Sequence, residues 1–345
     1  MTNSSKLIAV DLAKNVFQLA LANKQYHVTQ TKRLTRTQFH TFFVQHPPVQ
    51  VVMESCGTAH YWARTLQTMG HQVTLLPAQH VRPYVRRNKT DANDAMAIIE
   101  ATRNREIKAV PVKSEYQQAL QSLHRLREQW KATRVARING LRGILREFGV
   151  LVPMGPRAAI STTRASMASL PTVLHASVFD ILAELTDLQT RITALEKQLK
   201  RMVKDDPVIQ QFMKINGIGL LSATAMRASV QSPTQFKNGR QLSAWLGITP
   251  REYSSGDKRY LGRITKKGDK YLRTLLIHGA RSVMARNKIR LRDNEKLTHL
   301  QHWAIQLEQR VGHNKATVAL ANKMVRILWA TWMHQREFDG NYAMR

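Results

Sequence analysis

The chain has 345 residues and 43% hydrophobic side chains, enough for two or three folded domains and too many for a disordered chain. Lys plus Arg number 53 against 23 Asp plus Glu; a net charge of +30, spread along the whole chain, favours nucleic acid over a membrane surface. The single cysteine, Cys56, excludes an internal disulfide. With no apolar run near the roughly 18 residues of a membrane span and no long apolar core in its first dozen residues, the chain reads as cytoplasmic, with no membrane partner.

In chain order, 6–22 reads as a strand-turn-strand hairpin, with Asp11 closing the apolar run Leu7 to Val10. A third strand is expected over 26–34, a helix over 35–45, a strand over 49–53 ending at Glu54, a helix over 58–69, a strand over 72–76 and a helix over 90–103. The order β-β-β-α-β-α-β-α implies a mixed sheet with helices on its faces. A long helix follows over 114–148. Residues 149–177, with three prolines and many Ser and Thr, read as a linker or extended loop. Ile181, Leu185, Leu188, Ile192, Leu195, Leu199 and Met202 alternate spacings of four and three, a coiled-coil seam whose partner is either helix 114–148 or another subunit. The rest is mostly helical and strongly basic. The domains expected are 1–110, an α/β sheet domain; 111–204, a helical coiled-coil region with a loop at 149–177; and 205–345, a mostly helical domain.

Four acids stand at element ends in the first domain: Asp11, Glu54, and Asp91 with Asp94, three apart at a helix start. Clustered carboxylates call for a cation, and Mg²⁺ suits an all-oxygen set. Two such ions would clamp a phosphodiester in transfer. Asp91, preceded by Thr90, equally fits a helix cap. Arg82, Arg86, Arg87 and Lys89 lie just upstream, placed to guide a phosphate backbone. Further on, Gly217 and Gly219 open a turn like that of a helix-hairpin-helix, where backbone N–H groups approach phosphate.

From Arg251 to Arg292 there are thirteen Lys or Arg and three acids. Ser254 and Ser255 precede Gly256 among Arg251, Lys258, Arg259, Arg263, Lys266 and Lys267. Ser-Ser-Gly-Asp is ordinary turn chemistry, and a serine becomes a nucleophile only beside groups that neutralise phosphate charge.

The segments AVDLAKN, VVMESCGT and KTDANDAMAI resemble the D, E and D-x-x-D motifs of the DEDD transposases of insertion sequences, and SSG followed by GRITKKGDKYLR resembles their C-terminal transposase domain. The resemblance spans most of the chain. It implies an RNase H-like (RuvC-like) first domain with Asp11, Glu54, Asp91 and Asp94 as Mg²⁺ ligands. It also implies a serine nucleophile, matched best by Ser255 and next by Ser254, that forms a covalent phosphoserine link to DNA. The partners implied are donor and target DNA, a non-coding bridge RNA and further copies of the chain, from dimer to tetramer, in which the acids of one subunit meet the serine of another. The alternatives are a RuvC-like nuclease or junction resolvase that uses water, and a basic nucleic-acid-binding protein without catalysis.

Overall fold

The computed structural model describes residues 6–85 and 91–341, with side-chain detail in the second stretch beginning at Asn93. The chain divides into two compact units, Met1–Glu115 and Tyr116–Arg345.

The first unit is built on a five-stranded sheet. Strands β1 (Leu7–Leu12), β2 (Val16–Ala22) and β3 (Val28–Thr35) form an antiparallel meander. Helix α1 (Arg36–Gln45) then leads to β4 (Gln50–Glu54), and α2 (Ala59–Thr68) leads to β5 (Gln72–Leu76). The sheet order is β3-β2-β1-β4-β5, with β4 parallel to both β1 and β5. Thr35 stops the third strand and starts α1 through a reciprocal capping box with Gln38. The run LIAV is apolar throughout because β1 is central and covered on both faces. One face carries Ile8, Val10, Phe17, Leu19, Val51 and Met53 against Phe39, Phe43, Trp62 and Leu66 of α1 and α2. The other carries Leu7, Ala9, Ala20, Ala22 and Val52 against Ala95, Ile98 and Ile99. These three belong to α4 (Asp91–Arg103), which follows the short α3 (Ala78–Val81) and a 3₁₀ turn at Arg82–Tyr84. Small residues on both sides let α4 approach the sheet closely.

In the second unit, α5 (Glu115–Glu147) and α7 (Thr172–Met202) run antiparallel. Arg127 Nε donates to Glu196 at 2.7 Å, Arg137 Nε donates to Glu184 at 2.6 Å, and Arg134 bonds Gln189 between them. The partner of the α7 seam is therefore α5 of the same chain: Leu185, Leu188, Ile192, Leu195 and Leu199 are all buried. Residues 149–177, expected as a loop, hold α6 (Pro156–Ala165), a 3₁₀ turn at Met167–Ser169 and the start of α7. Pro156 stands in the first helical turn, where its missing N–H costs nothing. Ala159 and Leu170 join Ile138, Leu141, Leu145 and Val178 in one cluster, so buried surface overrides the loop-like composition.

The remaining helices α8 (Pro207–Met213), α9 (Leu220–Ser229), α10 (Gly239–Trp245), α11 (Lys270–Arg292), α12 (His299–Val311) and α13 (His313–His334) share a core with Leu120, Leu195 and Leu199 of the long pair. Between α10 and α11 the chain leaves helix for two short antiparallel strands, β6 (Pro250–Glu252) and β7 (Leu261–Ile264).

Candidate active site

Glu54 closes β4, and Asp11, expected to end its strand, is the last residue but one of the neighbouring parallel β1, which runs on to Leu12. Their preceding residues, Val10 and Met53, are register partners, so the two acids stand at the same level at the C-terminal ends of β1 and β4. Side chains alternate along a strand. Asp11 thus shares a face with Leu7 and Ala9, and Glu54 with Val52, which is the face that α4 covers. Asp94 lies in the first turn of α4. Asp11, Glu54 and Asp94 are all half-buried. Among the described residues no three Asp, Glu, His or Cys stand close enough together to hold an ion. The structure brings three acids to one side of the sheet without closing a ligand shell. Carboxylate oxygens at one level on adjacent strands are donors of the type that a hard cation takes.

The side chain of Asp91, together with Arg86, Arg87 and Lys89, lies outside the described residues. Arg82 is exposed in its 3₁₀ turn. His60, on α2, is buried, and that burial together with the charges of Lys113 and Arg64 lowers its pKa to about 4. It accepts the Lys113 N–H at 3.2 Å, and its helix packs on the sheet face opposite the acids.

The serine pair sits at the tip of the β6–β7 hairpin. Ser255 and Lys258 exchange backbone hydrogen bonds of 3.3 and 3.2 Å around a two-residue loop, Gly256-Asp257. Gly256 has φ +54°, a conformation that a tight hairpin turn demands and glycine supplies without cost. The same register continues inward: the Tyr253 N–H donates to Tyr260 O at 2.9 Å, and Glu252 pairs with Leu261. Alternation then separates the two serines. The Ser254 hydroxyl donates to Glu252 Oε1 at 2.8 Å, and Arg259 Nε donates to the same oxygen at 3.1 Å. These bonds, Ser254's before Arg259's, hold the Glu252 carboxyl below its ordinary pKa. Ser255 is on the opposite side, with Tyr253, Tyr260 and Lys258. Arg251, Lys258, Arg259, Arg263, Lys266 and Lys267 are exposed along the hairpin and the loop after it. Glu252, Tyr253 and Tyr260 went unmarked at the level of sequence, although a Gly-Asp loop between strand-like arms signals a hairpin.

The two glycines of the α8–α9 turn differ. A side chain on Gly217, which has φ +86°, would stand within 2.6–2.9 Å of Met324, Val283 and Gly279 O, so this residue serves close packing. Gly219 faces open space, and α9 begins there without a capping side chain. Among the described residues no helix is long and apolar enough to cross a membrane.

Two family models match. A transposase model covers residues 8–150, and that of the transposase IS116/IS110/IS902 family covers residues 209–294. The chain is 46% identical to a probable family 20 transposase of Pseudomonas aeruginosa over 94% of this chain and 95% of that one. It is 38% identical to the transposase for insertion sequence element IS1111A of Coxiella burnetii, over 96% and 91% of the two chains. With the transposase for insertion sequence element IS1328 of Yersinia enterocolitica it shares 35% identity over 94% and 95%. The chain belongs to the IS116/IS110/IS902 family of insertion-sequence transposases, DNA-binding enzymes that cut and rejoin DNA.

Proposed function

We propose that the first unit is an RNase H-like nuclease domain that works with Ser255 in a covalent strand-transfer reaction. The observation that carries the reading is the pair Asp11 and Glu54, level with each other on adjacent parallel strands and on the face that α4 covers. The sheet order, with an antiparallel meander followed by two parallel strands, supports the RNase H assignment. Asp11, Glu54, Asp91 and Asp94 would hold Mg²⁺, which when bound supplies charge neutralisation at the phosphoryl oxygens.

Ser255 is preferred over Ser254 because the Ser254 hydroxyl is engaged by Glu252. In the reaction the Ser255 Oγ loses its proton to a base and bonds to phosphorus. The bond from phosphorus to the sugar oxygen breaks, and that oxygen takes up a proton and leaves as a hydroxyl. Attack by the hydroxyl of the incoming strand reverses these events, restoring Ser255 and sealing the new junction. Lys258, directly across from Ser255, and the exposed Arg251, Arg259, Arg263, Lys266 and Lys267 offset phosphate charge. Gly219, at the uncapped start of α9, offers backbone N–H groups to a phosphate. By resemblance we assign target choice to a non-coding bridge RNA and assembly to a homo-oligomer, and the net charge of +30 suits both polyanions.

The test is capture of a denaturation-resistant protein–DNA adduct on DNA carrying the element's ends, in the presence of Mg²⁺. Ser255→Ala removes the adduct and Ser254→Ala keeps it. Asp11→Asn lowers recombination by at least ~100-fold, the scale of losing one group that stabilises transition-state charge. An adduct that survives Ser255→Ala refutes the serine. Cutting without any adduct points to a water-using nuclease, and full recombination by Asp11→Asn ends the metal reading.

A further inference from the structure

Tyr253 and Tyr260 form an aromatic pair on the exposed hairpin, with ring centroids 6.3 Å apart. A cross-strand aromatic pair can brace a hairpin, but that role needs no cations around it. Here Tyr253 is 61% and Tyr260 65% exposed, in a segment dense with cations. Tyr253 is also seated. A Cβ on Gly262 would stand 3.3 Å from its Cε2, so the ring lies over a residue that has no side chain to lift it. One edge of the ring lies against the strand at Gly262, and most of the side chain is exposed.

The rings lie on the side of the hairpin that carries Ser255. Tyr253 is two residues before Ser255 on the same arm of the hairpin, about 7 Å along it if extended. Tyr260 stands across from Tyr253, as Lys258 stands across from Ser255. Ser255, the lysine paired with it and two exposed rings thus share one side of the hairpin within a nucleotide's reach. Exposed rings interleaved with Lys and Arg are the chemistry of unpaired strands, since every base has a face to stack and a duplex hides it.

We propose that Tyr253, with Tyr260 beside it, is a stacking seat for one unpaired DNA base next to the phosphate that Ser255 attacks. The seat fixes the strand lengthwise, which a field of cations does not, and so sets which phosphate meets the hydroxyl. It rests on the reading of Ser255 as the nucleophile, and Tyr253 acts as a positioning residue.

The experiment uses the full-length protein with a short single-stranded DNA carrying 5-iodouracil, beside a duplex of equal length and an RNA of the same sequence. Irradiation of the DNA complex should cross-link Tyr253 or Tyr260, as mapped by mass spectrometry. Tyr253→Val keeps a strand-forming residue and removes the ring. It should weaken single-strand binding roughly tenfold while duplex affinity holds, and Tyr253→Phe should restore it. Tyr253→Val that binds single strands as the wild type does overturns the seat, as does cross-linking by RNA alone. Ser255→Ala separates the two readings: it should lose the covalent adduct and keep both the cross-link and the single-strand affinity. If the adduct persists in Ser255→Ala while the cross-link stays at Tyr253, the nucleophile is reassigned and the seat stands. If the adduct depends on Ser255 but the ring has no effect, the reverse holds.

Discussion

His124, on α5, is buried between two hydroxyls, 2.9 Å from Tyr271 on α11 and 2.9 Å from Thr224 on α9. The Thr224 hydroxyl already donates to Leu220 O at 2.7 Å, so it accepts from Nε2–H, and Tyr271 donates to Nδ1. Desolvation, with the charge of Arg127 added, lowers the His124 pKa to about 4, and burial above all raises that of Tyr271 to about 12. Both are neutral in the working protein and tie three helices together. The pH dependence follows. The unfolded chain takes up a proton at the ordinary histidine value near 6.5 and the folded one only near 4. Stability is therefore full above that ordinary value and falls as pH drops through this window, by about 3 kcal/mol at most. His124→Gln should be less stable at neutral pH and lose part of the slope, read as melting temperature against pH. His60 titrates in the same window in the other unit, so the difference between variant and wild type is the quantity to follow. At this scale the sequence was legible for the placement of Asp11 and Glu54 near strand ends, since their strands announce themselves by apolar runs. It was not legible for His124, because partners 100 and 147 residues away define its role.

Among elements, the turn between α8 and α9 shows how backbone contact replaces side-chain packing. A Cβ on Gly279, in the middle of α11, would stand 2.0 Å from Gly217 O. Helix and turn meet backbone to backbone, and around Gly217 the space is already filled by Val283 of α11 and Met324 of α13. Gly279→Ala gains helix propensity but forces the turn off α11. A net loss of about 1–3 kcal/mol is expected in chemical denaturation, the usual cost of overpacking, where a free helix would gain stability. Period and capping made most elements readable. The strand over 72–76 matches its expected bounds and the helix expected over 114–148 runs from 115 to 147, whereas α7 begins at Thr172, inside the segment expected as a loop. The α6 segment hid because its apolar residues are few and only its neighbours give it a buried side. The β6–β7 hairpin hid behind its charge. Its alternation of Glu252, Ser254 and Arg259 against Tyr253 and Ser255 is polar on both sides, so no apolar face marks the period.

For the whole molecule, the excess of 30 positive charges sets affinity without setting sequence choice. Neutralised phosphates release counterions, so binding should weaken steeply as salt rises. Lys266 and Lys267 are exposed just past the hairpin, and reversing both to Glu should lower the slope of log K against log salt by about 1 for each phosphate left without its cation. Titration by fluorescence anisotropy at several salt concentrations measures this, and an unchanged slope places the DNA path elsewhere. Polyanion binding was legible from composition alone. The joining of one end of the α5–α7 pair to the core of the C-terminal helices was not, because a heptad seam is silent about which helices pack on it.

The loop at Gly256-Asp257 makes length a determinant in its own right. A single inserted codon between Tyr253 and Ser255 would change their separation from even to odd, leaving ring and hydroxyl on opposite sides of the ribbon while every side chain remained present. Spacing in this stretch is thus under a constraint of parity as well as of identity: only a change of two residues would keep ring and hydroxyl on one side.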